Sequence, residues 1–394
     1  MRRVYLDHQS ATPVLPEVMD AMKPFFTEAF GNPSSLHQHG LRARDCMDEA
    51  RAKIARFINA ESSGDIIFTS DGTESANLAV KGVAWANQRK GNHIILSKIE
   101  HPSVLNSVAF LEKHGFTTTR VDVDGEGRID PAKIRDAITD KTILIAVHHV
   151  NHDIGTVQPI REISEVAHDA SIPLFVDADA SAGWLPVDVR ELGADLLSFS
   201  PHRFYGPKGV GVLYRHRRAR IEPILHGGDQ EDGRRAGIEH VAGIIGAGVA
   251  AEIAQRDLAQ RASHCFKLQK RLWASLRSGI SRIKLNGPEP GSHRSPVNLN
   301  ISVEGTEGEG QMLLCDTRGI AIASGTGCLS KSLKASHVLQ AIGLSPELAI
   351  AAVIFSLGKD NTDADIDYVL EIFPKIIAKL RAMSPSWEEI QRGP

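Results

Sequence analysis

Cysteine is scarce in this chain, and none of its four cysteines belongs to a CxxC pair. They are Cys46, Cys265, Cys315 and Cys328. This spacing argues against a disulfide framework and against a structural zinc site. Because Cys46, Cys265 and Cys315 lie in apolar or helical settings, we expect them to be buried small hydrophobic residues.

The chain also lacks a charge bias and a long apolar run. Its formal net charge of -3 provides no electrostatic basis for binding nucleic acid or an anionic membrane. The best apolar run, Leu348–Leu357, has about half the length needed to span a bilayer. The segment Met1–Asp7 does not have the apolar stretch of a signal peptide. We therefore expect a cytoplasmic protein with neither a nucleic-acid nor a membrane partner.

Size and periodicity indicate an α/β protein of two domains. The 394 residues exceed one ordinary domain, and a hydrophobic content of 42% is usual for a globular chain. Short apolar runs alternate with segments of helical period, which is typical of βαβ units around a mainly parallel sheet. The predicted strands are Ile66–Thr69, His93–Ser97, Thr142–His148, Pro173–Asp177, Asp195–Ser200 and Gly211–Tyr214. The predicted helices between them include Glu74–Asn87, Pro102–His114, Pro131–Ile138 and Ile160–Ala170.

The pattern changes after about Ala250. A long charged helix, Ala251–Ser278, is followed by a stretch rich in proline and glycine, and the region ends in an amphipathic helix, Asp363–Met383. We predict a large domain over residues 15–250. A smaller α+β domain is predicted over residues 1–14 and 251–394, and it carries the glycine-rich loop around Cys328.

Motifs along nearly the whole chain resemble those of the cysteine desulfurases of the NifS/IscS type, in the class V aminotransferase family. The segments that carry the resemblance are Tyr5–Asp7, Gly31–His37, Ile67–Ser70, Gly72–Ser75, Ile99–His101, Ile154–Ile160, Val176–Ala178, Tyr205–Gly211, Gly227–Gly228 and Ser324–Cys328. The resemblance implies the fold-type I architecture of pyridoxal phosphate (PLP) transferases, with a mainly parallel seven-stranded-type sheet, helices on both faces and a smaller α+β C-terminal domain. It also implies a homodimer.

The same resemblance implies a chemistry. In that family a lysine–PLP aldimine labilises cysteine, and a loop cysteine takes the sulfur as a persulfide. The sulfur then passes to an iron–sulfur scaffold or another acceptor protein. Cys328 matches the persulfide cysteine, and Lys331 and Lys334 nearby in sequence favour its reactive thiolate.

Several residues match the family's cofactor site. Gly72 and Thr73 follow a predicted strand and open a helix, so that backbone N–H groups and the Thr73 hydroxyl can hold a phosphate. The resemblance assigns Ser200 and His202 to further phosphate contacts.

Two more matches concern the cofactor ring. The resemblance assigns Asp177 to the pyridine nitrogen and His101 to stacking on the ring and moving protons. We therefore predict Cys328 and His101 as catalytic residues.

The position of the family's Schiff-base lysine is occupied by Arg203. A Schiff base requires a nitrogen that can lose its proton, and a guanidinium stays protonated in proteins. Lys208 belongs to the turn after the site, so we do not expect it to substitute. The remaining departures are Ala180 for a glutamine, His152 for an asparagine that contacts cofactor and substrate, Ile354 for the arginine that binds the substrate carboxylate, and Ile238 for a threonine that reaches the phosphate across the dimer.

We expect a protein of sulfur transfer or iron–sulfur cluster assembly that lacks conventional lysine–PLP catalysis. Cys328 would be a persulfide carrier or a ligand of an iron–sulfur cluster. One alternative is an enzyme that binds PLP non-covalently in a site that includes Arg203 and His152, with weak desulfurase or lyase activity. Another is a non-catalytic partner of an active desulfurase. A further interpretation is a transition metal or cluster held by imidazoles, carboxylates and the loop thiol. The candidate residues are His152 and Asp153, the nearby His101, Asp177 and His202, and His149 and Asp179 close in sequence, but they show no ligand spacing motif.

Overall fold

A computed structural model describes residues 2–324, 335–385 and 387. Cys328, Lys331 and Lys334 lie outside these residues. The strands are β1 (Val4–Tyr5), β2 (Ile66–Thr69), β3 (His93–Ser97), β4 (Thr117–Val121), β5 (Thr142–His148), β6 (Leu174–Asp177), β7 (Leu196–Phe199), β8 (Gly211–Arg215), β9 (Ile283–Leu285), β10 (Asn298–Val303), β11 (Ile320–Ala321), β12 (Ala323–Ser324) and β13 (Ala352–Ser356). The α-helices are α1 (Pro16–Met22), α2 (Pro24–Thr27), α3 (Gln38–Phe57), α4 (Gly72–Asn87), α5 (Pro102–Glu112), α6 (Pro131–Ala137), α7 (Ile160–Asp169), α8 (Val189–Leu192), α9 (Val241–Gly279), α10 (Gly308–Asp316), α11 (His337–Ala341), α12 (Pro346–Ile350) and α13 (Asp363–Ala382).

The central sheet has seven strands in the order β2-β8-β7-β6-β5-β3-β4. Of these, β8 alone is antiparallel, both to β2 and to β7. Apolar side chains alternate between the two faces of the sheet: on β5, Ile145 and Val147 belong to one buried cluster and Leu144 and Ala146 to another. Helices cover both faces, as the apolar strands require. The predicted α/β fold with a mainly parallel sheet is thereby confirmed.

The long helix α9 begins at Val241, ten residues before the predicted start at Ala251. The prediction was wrong because it placed the start where the charged pattern begins, whereas residues 241–250 are uncharged and contain three glycines. Gly248 packs so closely on α3 that a Cβ on it would lie 2.9 Å from the Cα of Ala50. The glycines therefore permit close helix packing here.

Helix α9 also connects two parts of the molecule. Ala247 and Ala254 lie in the cluster under the central sheet, whereas Leu268 and Leu272 lie in a second cluster with the four-stranded sheet β12-β13-β10-β9. The predicted boundary at residues 250–251 falls inside this helix, and the two-domain division stays a prediction.

Cys265 and Cys315 are buried, whereas Cys46 is only half-buried. The expectation for Cys46 was wrong because the buried stripe of α3 runs through Ala43, Met47 and Ala50. Cys46 lies beside this stripe. No helix of the described residues is long and apolar enough to cross a membrane.

Candidate functional site

The predicted site residues lie along one edge of the central sheet. Ser200 directly follows β7, Asp177 ends β6, His152 follows β5, and Gly72 follows β2. These strands run in the same direction, so that their carboxyl ends meet at a common edge, where ligands bind in open α/β folds. His101 precedes α5 and joins this edge from the loop after β3.

The start of α4 is held by side chains of this chain. The Gly72 N–H donates to Ser200 Oγ at 2.7 Å, and the Asp71 carboxylate accepts from the Glu74 N–H at 2.7 Å. Thr73 is exposed. A Cβ on Gly72 would lie 2.3 Å from Asp179 Oδ2 and 2.7 Å from Ser200 Oγ, which explains the glycine. The carboxylate of Asp179 therefore faces the N-terminus of α4.

Asp179 is the residue of this edge whose position the sequence did not indicate. We considered it only as a metal ligand, yet among the described residues no group of three or more His, Cys, Asp or Glu side chains is placed to hold a metal ion. Its Oδ1 is buried without a hydrogen-bond partner. The only sequence signal for this position is that Asp179 lies two residues after Asp177, just past the end of β6.

Asp177 is buried, and its Oδ1 accepts a hydrogen bond from the Asp179 N–H at 3.0 Å. Burial, and then the negative charge of Asp179, raise the pKa of Asp177 to about 7. The carboxyl group can therefore gain or lose a proton near neutral pH.

Three imidazoles line the site next to these carboxyl groups. The rings of His101 and His152 meet edge to face with centroids 5.0 Å apart, and His337 lies 6.3 Å from His152. His337 Nε2 donates to the Glu100 carbonyl at 3.0 Å. Burial lowers the pKa of all three rings, most strongly that of His152. The neutral rings therefore predominate at neutral pH.

Arg203 ends a short 3₁₀ turn after β7. Among the described residues its guanidinium forms neither a hydrogen bond nor an ion pair, and its Nε is buried without a partner. After burial, the charge of Arg203 is a further cause of the lowered pKa of His101 and of His202. The Arg203 carbonyl accepts from Trp184 Nε1 at 3.0 Å, which holds the turn in place.

Other predicted participants have structural partners. Asp153 accepts hydrogen bonds from Asn300 Nδ2 at 2.8 Å and from the Ser336 hydroxyl, and burial raises its pKa to about 6. His149 Nδ1 lies 3.1 Å from Ser181 Oγ, and burial lowers its pKa to about 4. Both residues therefore tie loops together. Lys208 is exposed.

The arrangement does not fit PLP bound as a lysine aldimine. Arg203 has no nitrogen that can lose its proton and attack the aldehyde. The N–H of Gly72 is already bonded to Ser200. Asp179 adds a negative charge at the start of α4, the position that the resemblance assigns to a phosphate.

Comparisons with known proteins agree with the fold. The family described as aminotransferase class-V matches residues 4–369. The chain is 45% identical over 392 residues, 100% of its length and 98% of the relative's, to a cysteine desulfurase IscS of Clostridium botulinum. It is 47% identical over 388 residues, 98% of each protein, to a cysteine desulfurase IscS of Dictyoglomus turgidum.

Solved structures of related proteins have the same fold as this chain. A NifS-like protein superimposes with a TM-score of 0.90 at 33% identity, over 96% of this chain and 100% of the other. A structure of SspA in complex with cysteine superimposes with a TM-score of 0.79 at 34% identity, over 91% of this chain and 100% of the other. The chain therefore belongs to the aminotransferase class-V family and, within it, to the cysteine desulfurases of the IscS/NifS type. The enzymes of this family use PLP.

Proposed function

We propose that this protein carries sulfur in sulfur transfer or iron–sulfur cluster assembly, on the fold of a cysteine desulfurase but without lysine–PLP catalysis. The observation that carries the proposal is Arg203 at the strand ends, whose guanidinium forms no hydrogen bond or ion pair with the described residues. The amino-acid chemistry of the family lacks its reagent there, whereas the loop cysteine is retained in the sequence.

The thiols of the described residues support Cys328 as the sulfur carrier. Burial raises the pKa of Cys265 and of Cys315 to about 12, and it also raises the pKa of Cys46. These thiols therefore stay protonated at neutral pH and react slowly. Cys328, in its glycine-rich segment with two lysines nearby, is the cysteine to which this argument does not apply.

The sulfur transfer needs no external oxidant when the donor is itself a persulfide. The Cys328 thiolate attacks the outer sulfur of the donor, a new S–S bond forms, and the donor's S–S bond breaks. The donor leaves as a thiolate, and the proton stays on the persulfide or goes to water. Passing the sulfur to an acceptor thiolate is the same reaction in reverse. An alternative role of the same thiolate is to ligate an iron–sulfur cluster.

A homodimer is part of the proposal. Phe30, Leu36 and Ile238 are large apolar side chains with exposed fractions of 66%, 84% and 64%. Such exposure is costly in a monomer, and a second copy of the chain would cover it. Sedimentation velocity measures this directly: a single species of twice the chain mass supports the dimer, and a monomer at micromolar concentration contradicts it.

The test of the sulfur carrier uses the full chain and glutathione persulfide as donor. Intact mass under non-reducing conditions should show one added sulfur atom on the wild type and none on Cys328→Ser. Cys46→Ser, which removes the half-buried thiol, is the matched control and should keep the added sulfur. Equal labelling of wild type and Cys328→Ser would contradict the proposal.

PLP bound without a covalent bond is a second candidate, because Asp177, Ser200 and His202 are all present at the strand ends. It predicts a spectral change when PLP and L-cysteine are added. The position of Asp179 favours the first proposal, as argued below.

A further inference from the structure

The N-terminus of α4 already faces an anion that belongs to the chain itself. Asp179 Oδ2 lies against Gly72, so close that a Cβ on Gly72 would be 2.3 Å from this oxygen. Helix N-termini attract negative charge through the helix dipole and their free N–H groups. Among the described residues the Asp179 carboxylate forms no ion pair, and its Oδ1 is buried without a partner. Within the part of the chain that the structure describes, no cation therefore lies within salt-bridge distance of the Asp179 carboxylate.

The charge of Asp179 acts on three titratable groups of the predicted cofactor site, namely His101, Asp177 and His202. It is a cause that raises the pKa of His202 and of His101, against the larger effect of burial. It also contributes, after burial, to the raised pKa of Asp177. These three effects agree with the geometry at Gly72 in showing that the Asp179 carboxylate lies within the predicted cofactor site.

Arg203 cannot account for a loss of phosphate affinity. An arginine in place of a lysine removes the covalent attachment but keeps the positive charge, and a guanidinium binds phosphate well. The replacement at Arg203 therefore removes covalent attachment alone, and any exclusion of phosphate has to come from another residue.

We propose that Asp179 excludes phosphate-bearing ligands from this site, because its carboxylate lies at the start of α4, where an anion would bind, and repels a phosphate dianion. This proposal rests on the proposed function, since each of the two holds that PLP does not act as a cofactor at this site. It goes further by assigning the exclusion to one charge, which a single substitution removes.

The test measures binding of pyridoxamine 5′-phosphate to the full chain by isothermal titration calorimetry. This probe lacks the aldehyde, so it cannot form adducts with surface lysines. The wild type and Asp179→Glu, which keeps the charge, should show no saturable binding. Asp179→Asn should bind at least about tenfold more tightly than the wild type, since two negative charges no longer meet at short distance. Pyridoxamine without phosphate should show no such gain.

Two further variants test whether the carboxylate of Asp179 alone prevents binding. Asp179→Ala removes the side chain altogether, in case the amide of Asn fills the same space, and it should also bind. Arg203→Lys should not bind, because it leaves Asp179 in place. Thermal unfolding of each variant confirms that it is folded.

Saturable binding by the wild type, or no gain in either Asp179→Asn or Asp179→Ala, would overturn the proposal. The result is independent of the sulfur-carrier test. If Cys328→Ser is labelled as strongly as the wild type, the proposed function is refuted but the role of Asp179 is not. If the Asp179 variants bind no better than the wild type, the role of Asp179 is refuted but the sulfur-carrier function is not.

Discussion

The hydroxyl of Ser200 accepts a hydrogen bond from the backbone N–H of Gly72 at 2.7 Å, and this bond joins the end of β7 to the start of α4. Both groups are buried. Because the first N–H groups of a helix have no partner within the helix, a side chain of the neighbouring strand end supplies one here. The N–H groups of Gly72 and Glu74 at the start of α4 therefore both have acceptors within the chain.

Ser200→Ala should destabilise the protein by about 1–3 kcal/mol, because it leaves the buried N–H of Gly72 without an acceptor. Urea unfolding followed by circular dichroism measures the change. Ser198→Ala is the matched control, since Ser198 Oγ is buried without a partner and its removal should cost little. Equal effects of the two substitutions would contradict the role of Ser200.

Asp177 should make stability fall as the pH rises. Its pKa is raised from 3.8 to about 7 in the folded protein, so that between these values the folded state holds a proton that the unfolded state has lost. The stabilising contribution is therefore complete below about pH 4 and is lost as the pH rises towards 7.

Asp177→Asn removes this titration and keeps the acceptor for the Asp179 N–H. Relative to the wild type, the variant should gain more unfolding free energy at pH 8 than at pH 4.5. Unfolding curves at both pH values measure this gain. Asp20→Asn, the same chemical change at an exposed residue, should show no such pH-dependence. A wild-type-like pH profile for Asp177→Asn would contradict the assignment.

Glu231→Gln should cost about 3–5 kcal/mol, because it breaks a buried ion pair and leaves the charge of Arg51 without its partner. Glu231 accepts from Arg51 Nη2 at 2.6 Å and from the Phe68 N–H in β2 at 2.9 Å. Chemical denaturation gives the cost. Glu371→Gln, which breaks an exposed pair with Lys375, should change stability by less than about 1 kcal/mol. A loss of less than about 1 kcal/mol of unfolding free energy for Glu231→Gln would contradict the prediction.

Arg203→Lys should restore an amine at the position of the Schiff-base lysine without restoring cofactor binding. Asp179 still faces the start of α4 in this variant, so that no aldimine absorption should remain after gel filtration has removed PLP bound reversibly to surface lysines. The double variant Arg203→Lys, Asp179→Ala should gain that absorption. Its appearance in Arg203→Lys alone would show that Asp179 does not exclude the phosphate.

The apolar strands were predictable because each is a short run buried on both faces. β2, β3 and β5 have the predicted bounds, and β6 and β7 differ only at their ends. β4 was not predicted, since Thr117–Val121 lies at the sheet edge and three of its five residues are threonine. Partial exposure there removes the apolar signal on which the prediction depends.

Most of the site could be inferred from motifs because its residues follow strand ends in order. The proximity of Asp179 to Gly72 could not be inferred in this way. It arises because the end of β6 lies beside the start of α4 in the fold, and the order of elements along the chain does not reveal this. The departure at Arg203 was visible in the sequence. That its guanidinium stays unpaired among the described residues required the structure.

The measurement that tests the central claim most directly is the reaction of anaerobically purified protein with glutathione persulfide and, separately, with PLP and L-cysteine. The account predicts one added sulfur atom on the wild type that is absent from Cys328→Ser, together with no aldimine absorption and no sulfide released from L-cysteine. An aldimine absorption that responds to L-cysteine, with sulfide release, would show a working PLP enzyme and contradict the account.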